Sequence, residues 1–100
     1  MTVSQATEDI ISILETVLAK VTDDTDVIWA GYRTPSEMRD MLTQYLMELR
    51  LGNLTSLWDI NIRFAPTGTF QEHAIQNEWS EEYLRLSSRF DELYEILKAN

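Results

Sequence analysis

Three stretches of the chain repeat apolar residues at the spacing of an amphipathic helix, and this feature most limits the fold. The second stretch has the clearest ends. Thr34, Pro35 and Glu37 combine an N-cap, a first-turn proline and a capping-box glutamate, and Gly52 is placed for a left-handed C-cap. We therefore predict a helix from Pro35 to about Arg50. Its apolar face consists of Met38, Met41, Leu42, Tyr45, Leu46 and Leu49.

The two terminal stretches follow the same period. In the first, Ser4 or Thr7 is the expected cap, and the helix should end around Val21, before a run of short polar residues. Its stripe is Ile10, Ile11, Leu14, Val17, Leu18 and Val21. The last helix should begin near Ser80. Its stripe is Tyr83, Leu86, Phe90, Leu93 and Leu97.

The segment 55–79 permits two interpretations. Alternation of apolar residues over 58–64, followed by Pro66 and Gly68, indicates a β-hairpin. Capping-box patterns at 56–59 and 69–72 instead indicate two short helices, and residues 71–74 are poor strand formers. We favour the helices. In the first, Leu57, Ile60 or Asn61, and Phe64 would face inward, and in the second Phe70, His73, Ala74 and Asn77 would share one side.

The predicted fold is thus an all-α bundle of three main helices with one or two short helices. The alternative is an α+β fold with a central hairpin around Pro66–Gly68. Residues 27–32 are too few to assign, and could form a strand or an apolar loop over the core. One hundred residues suit a single domain, which we place at 1–100.

The net charge limits the classes of molecule that the protein is expected to bind. A net charge of −9 would be repelled by nucleic-acid phosphates and anionic lipid, so we expect neither nucleic-acid nor membrane binding. The same charge would attract a basic protein. With no cysteine, disulfides and thiolate chemistry are excluded, which fits a cytoplasmic location.

The sequence holds little catalytic chemistry. One histidine and three scattered glycines supply neither a zinc helix nor a phosphate-binding loop, so we predict no catalytic residue, metal or cofactor. Glu72 and His73 resemble an acid–base pair, but neighbouring side chains point in different directions on a helix. We expect Glu72 to be the capping partner of Thr69, and His73 to be a packing residue.

These observations favour a non-enzymatic protein-interaction domain, such as an inhibitor, an immunity-type protein or an adaptor. Its partner would be another protein, and a basic surface on that partner would be attracted by the negative net charge. One alternative is a small hydrolase or lyase that uses His73 with a carboxylate. Another is a homo-oligomer that buries Met47 and Leu51. The candidate interaction residues are aromatic and lie mostly at predicted helix boundaries: Trp29, Tyr32, Trp58, His73 and Trp79.

Overall fold

The computed structural model describes residues 1–99 and contains five α-helices over that range, with no strand. The predicted all-α fold of three main helices with one or two short helices is confirmed, and two short helices are present. The alternative hairpin around Pro66–Gly68 is wrong, because residues 57–63 form a helix that turns one face to the core. The helices are α1 (Val3–Lys20), α2 (Pro35–Arg50), α3 (Leu57–Arg63), α4 (Thr69–Gln76) and α5 (Ser80–Lys98).

Helix α1 lies between α2 and α5 and runs antiparallel to both. Ion pairs mark the two contacts. Arg50 of α2 bonds Glu15 at 2.8 Å, and Arg89 of α5 bonds Asp9 at 2.9 Å. Lys20, at the end of α1, pairs with the first turn of α5. The buried face of α1 supplies the centre of the core through Ala6, Ile10, Ile13, Leu14 and Val17.

Aromatic side chains join the short helices to α5. The ring of Phe64, just after α3, lies 4.4 Å from that of Phe90 and 4.8 Å from that of Phe70, measured between centroids. The Tyr83 hydroxyl donates a 2.8 Å hydrogen bond to the Phe64 carbonyl. The inward face predicted for α3 is confirmed with Ile60 and not Asn61, since Leu57, Ile60 and Phe64 are buried. On α4 the predicted side is buried at Phe70, His73 and Ala74, whereas Asn77 at the C-cap is only half-buried.

The ends of α2 and the start of α5 are confirmed. The Thr34 side chain caps α2, Pro35 is its first residue, Gly52 has a φ of +77°, and α5 begins at Ser80. The cap of α1 was wrongly predicted. Thr2, not Ser4 or Thr7, caps α1, because Thr2 and Gln5 bond each other's backbone N–H and complete a capping box.

The capping boxes predicted for the short helices are also wrong. Helix α4 is preceded by Gly68, and Thr69 is its first helical residue. The Thr69 hydroxyl accepts from Arg63 at 2.9 Å, so Glu72 has no capping role with it. At α3, the Ser56 hydroxyl donates to the Glu48 carboxylate and makes no cap bond. Each hydroxyl is taken by a side chain from another part of the fold.

No helix within residues 1–99 is long and apolar enough to cross a lipid bilayer.

Candidate functional site

The turn 27–32, between α1 and α2, exposes two large apolar side chains that are neighbours in the chain. Val27 and Ala30 are buried in the core, whereas Ile28 is 72% exposed and Trp29 is 67% exposed. The strand alternative for this segment is wrong, and the alternative of an apolar loop over the core is confirmed for Val27 and Ala30 but not for the exposed tip. Ile28 and Trp29, hereafter the apex, stand at the tip of a turn whose other residues anchor it.

Backbone hydrogen bonds make the turn tight. The Val27 carbonyl accepts from the N–H of Ala30 at 3.2 Å and from that of Tyr32 at 3.0 Å. Gly31 has a φ of +98°, a conformation that glycine adopts without strain. The Asp26 carboxylate also accepts from the N–H of Ile28 at 3.1 Å. The backbone beneath the apex therefore has a defined shape.

Asn77, at the end of α4, fastens this turn to the rest of the fold. Its Oδ1 accepts from the N–H of Asp26 at 2.9 Å, and its Nδ2 donates to the carbonyl of Asp26 at 2.8 Å. The same Nδ2 donates to the carbonyl of His73 at 2.9 Å. One side chain thus connects the apex turn to the last turn of α4.

His73 and Trp79 form a buried pair next to Asn77. The Trp79 indole N–H donates to Nδ1 of His73 at 3.0 Å, and the two rings meet edge to face with centroids 5.7 Å apart. Since Nδ1 accepts, the neutral ring carries its proton on Nε2. That nitrogen is buried and has no hydrogen-bond partner among residues 1–99.

Burial lowers the pKa of His73, while the nearby Asp26 carboxylate opposes that change. The Lys20 ammonium lies 5.8 Å from the centre of the Trp79 ring on the α1 side, where Glu82 neutralises it. The pair is therefore buried, with one anion and one paired cation near it. This environment favours a neutral imidazole.

Acidic side chains without an ion-pair partner are common in the described part of the chain, both next to the apex and elsewhere. Asp23, Asp24 and Asp26 precede it, and of these only Asp23 has a cation within ion-pair distance, Arg39 at 2.7 Å. Across residues 1–99, ion pairs occupy six of the 17 Asp and Glu side chains. The surface field is therefore strongly negative.

The five candidate interaction residues occupy three separate places. His73 and Trp79 are buried, so neither is available as a surface contact. Trp29 and Tyr32 belong to one turn, and Tyr32 is half-buried. Trp58 begins the outward face of α3, 64% exposed, and within residues 1–99 no hydrogen bond or ring contact joins it to the other four.

Tyr32 connects the apex turn to α2 and α3. Burial raises the pKa of its hydroxyl, whereas the neighbouring Arg63 guanidinium acts to lower that pKa. Arg63 itself donates to the Tyr45 hydroxyl at 3.4 Å and to Thr69. Tyr32 itself packs against the core with part of its side chain, which makes it a supporting residue beside the apex.

Two residues of this site were not identified from the sequence. Ile28 is exposed at the tip of a tight turn, and Gly31 was the local signal of such a turn. The role of Asp26 arises from Asn77, 51 positions later, and no local pattern reports so distant a partner.

Metal sites and ligand-binding grooves were also sought among the described residues. No three His, Asp or Glu side chains within 1–99 are grouped to hold a metal ion. A shallow groove between α1 and α2 has Ile11, Leu49 and Leu54 among its apolar residues, and the Glu15–Arg50 ion pair at its rim. It is open to solvent, and its polar lining includes Ser4, Thr7 and Glu8.

No family model matches the chain, and comparisons with curated proteins and with solved structures found no match. Function must therefore be inferred from the residues of this chain alone.

Proposed function

We propose that the protein is a non-enzymatic interaction domain that binds a basic partner protein through the apex. The observation that carries this proposal is the exposure of Ile28 and Trp29 on a turn whose backbone is fixed by Asn77. Large apolar side chains that face solvent without such support are common on protein surfaces. Here two such side chains are held on a hydrogen-bonded turn, and the stability of the fold does not require their exposure.

Binding at the apex would use a small set of strong contacts. Tryptophan is enriched among the few interface residues that dominate binding energy. A turn that is already in its bound shape loses less entropy when it docks, which strengthens binding without any added contact. Trp29 is the anchor in this proposal, and Ile28 widens the contact. A complementary partner would offer an apolar pocket.

The partner's charge is proposed from electrostatic complementarity. Asp24 and Asp26 flank the apex without a cation in ion-pair distance, and the whole chain carries −9. A basic surface around the pocket would accelerate encounter and oppose wrong partners, and salt would weaken it. We include a cytoplasmic location in the proposal, since a cysteine-free chain needs no oxidising compartment.

The test compares two tryptophans of nearly equal exposure. Tagged wild-type protein, a Trp29→Ala variant and a Trp58→Ala variant are used to capture proteins from the cells that make the chain, at low and high salt. We expect the same protein to be captured by the wild type and by Trp58→Ala, and to be lost with Trp29→Ala. High salt should reduce its capture.

The affinity of each variant for the captured protein then tests the role of Trp29 directly. With the captured protein purified, calorimetry should give a Kd at least roughly thirtyfold weaker for Trp29→Ala, the usual scale for an interface hot spot. Trp58→Ala should stay within about threefold of the wild type, the scale of a near-neutral position. Equal affinities for all three proteins, or binding that does not respond to salt, would reject the proposal.

The hydrolase or lyase alternative has weaker support. His73 has no exposed surface, and its Nδ1 is occupied by Trp79. A substrate could reach the ring only after α4 or the start of α5 moved. Enzyme chemistry at His73 would therefore require an opened conformation.

Self-association is a second candidate, favoured by a different exposed pair. Leu51 is 84% exposed and Met47 53% exposed, and they lie one turn apart at the end of α2. Sedimentation equilibrium over a hundredfold range of concentration tests it. A mass that rises with concentration in the wild type but not in Leu51→Gln would support an oligomer. A constant monomer mass would remove it.

A further inference from the structure

The hydrogen bond between His73 and Trp79 exists only while the imidazole is neutral. Neutral histidine has one nitrogen that accepts and one that donates, whereas the protonated ring has two donors. The indole of Trp79 can only donate. Protonation of Nδ1 would set two N–H groups against each other at a separation that is now 3.0 Å. The bond must therefore break when the ring becomes charged.

The surroundings offer the charged ring little compensation. Nε2 is buried without a partner in residues 1–99, so both N–H groups would face the interior. The nearby charges are Asp26 on the apex turn, and the Lys20–Glu82 pair beside Trp79. Asp26 is the only anion of these that acts on the ring, and its carboxylate already accepts from Ile28. An imidazolium would compete with the turn for that carboxylate.

The same histidine is mechanically connected to the apex turn. The carbonyl of His73 accepts from Asn77 Nδ2, which also bonds Asp26. A shift of His73 away from Trp79 would therefore move the group that fastens the turn. Both routes, through the Asp26 carboxylate and through Asn77, lead from the imidazole to the apex.

We propose that His73 regulates the apex by pH: in weak acid, protonation breaks the bond to Trp79 and loosens turn 27–32. At neutral pH the turn is fastened and the apex is ready to bind. The regulatory part of this inference rests on the proposed function, whereas the loosening of the turn does not. Histidine suits this role because its charge changes within the physiological pH range.

The test uses the full chain and needs no partner. Nitrogen-15 NMR follows the ring nitrogens of His73 and the Trp79 indole N–H from pH 7.5 to 5.5. Hydrogen exchange gives protection factors for the amides of Ile28, Ala30 and Tyr32, corrected for the intrinsic effect of pH. We expect these factors to fall at least roughly tenfold as His73 charges. Amides in α1, such as that of Leu14, should keep theirs.

His73→Gln is the matched control. A glutamine oxygen can accept from Trp79 but does not titrate in this range, so the turn should have equal protection at pH 7.5 and 5.5. If circular dichroism shows that this variant is unfolded, Trp79→Phe replaces it. Without the indole donor, His73 should gain its proton at a higher pH than in the wild type.

Three results would overturn the inference. The wild-type turn could keep its protection while His73 titrates, His73→Gln could respond to pH as the wild type does, or α1 could lose protection together with the turn. Failure of the proposed function would look different, because capture at pH 7.5 would then be unaffected by Trp29→Ala while the NMR response remained. Once a partner has been captured, its binding to the wild type should weaken from pH 7.5 to 5.5, whereas its binding to His73→Gln should not change.

Discussion

Asn77 and Asp26, 51 positions apart in the chain, hydrogen-bond each other in both directions. The Asn77 side chain accepts from the Asp26 N–H at 2.9 Å and donates to the Asp26 carbonyl at 2.8 Å. A side-chain amide that pairs with both polar groups of one residue imitates the pairing between two strands. In a fold without strands in its described part, this pair determines where the connection between α1 and α2 lies.

Replacement of Asn77 by alanine should release the apex turn. The change removes the two bonds to Asp26 and the bond to the His73 carbonyl, and we expect a loss of about 1–3 kcal/mol in unfolding free energy. Urea denaturation measures this loss. Asn77→Asp keeps the acceptor for the Asp26 N–H but sets a carboxylate oxygen against the carbonyls of Asp26 and His73, so it should cost at least as much as alanine. Equal stability of Asn77→Ala and the wild type would contradict a structural role for the clamp.

The stability of the protein should fall as the pH drops below about 6.5. Burial lowers the pKa of His73 in the folded protein from its ordinary value of 6.5. Between those two values the unfolded chain binds more protons than the folded one, so acid favours unfolding. The stabilisation is fully present above pH 6.5 and is lost as the pH falls toward the lowered pKa.

Urea denaturation at pH 7.5, 6.5 and 5.5 measures this effect. His73→Gln should lose less stability over that range than the wild type, because its side chain does not titrate. Carboxylates titrate at lower pH and contribute similarly to both proteins. Parallel pH profiles would show that His73 is not the source.

Glu78→Gly should stabilise the fold. Glu78 follows α4 with a φ of +63°, and left-handed backbone costs a residue with a Cβ roughly 1 kcal/mol. Glycine is the usual residue at such a helix end, so we expect thermal denaturation to show a gain of up to about 1 kcal/mol. Glu81→Gly removes the same charge from the first turn of α5, where the carboxylate interacts favourably with the helix dipole and glycine is a poor helix former, so it should lose up to about 1 kcal/mol. A loss of stability in both variants would contradict this account.

Gly68→Ala should destabilise the fold, although the φ of Gly68 is −78° and suits any residue. A Cβ there would lie 2.8 Å from the carbonyl oxygens of Ile62 and Ala65. Backbone atoms at the end of α3 cannot move aside as a flexible side chain would, so we expect a loss of about 1–3 kcal/mol by urea denaturation. Ser88→Ala, on the exposed side of α5, should stay within about 0.5 kcal/mol of the wild type.

The long helices could be predicted because their signals are local. The apolar stripe of α2 and its ends at Thr34 and Gly52 follow from residues that are neighbours along the chain. The inward faces of α3 and α4 were predictable for the same reason. Their caps were not, since Ser56 bonds Glu48 on α2, and Thr69 bonds the Arg63 side chain. A hydroxyl near a helix start has the same local pattern whether or not a more distant group takes it.

The same distinction between local signals and distant contacts applies to the candidate site. From the sequence, Trp29, Trp58 and Trp79 were equal candidates, because each is a large ring near a predicted helix boundary. The fold buries Trp79 against His73 and leaves the other two exposed. Residue type alone cannot make that distinction, because burial of an aromatic ring depends on which elements pack over it.

The sequence by itself determined that the described chain is helical, where its long helices run, and that it is acidic and free of cysteine. These properties depend on composition and on periods of a few residues. Tertiary structure alone decided that Asn77 would fasten Asp26, that His73 would accept from Trp79, and that Ile28 and Trp29 would face solvent. Those outcomes require groups distant in sequence, or whole packed elements, to meet, and their free energy exists only once the chain has folded.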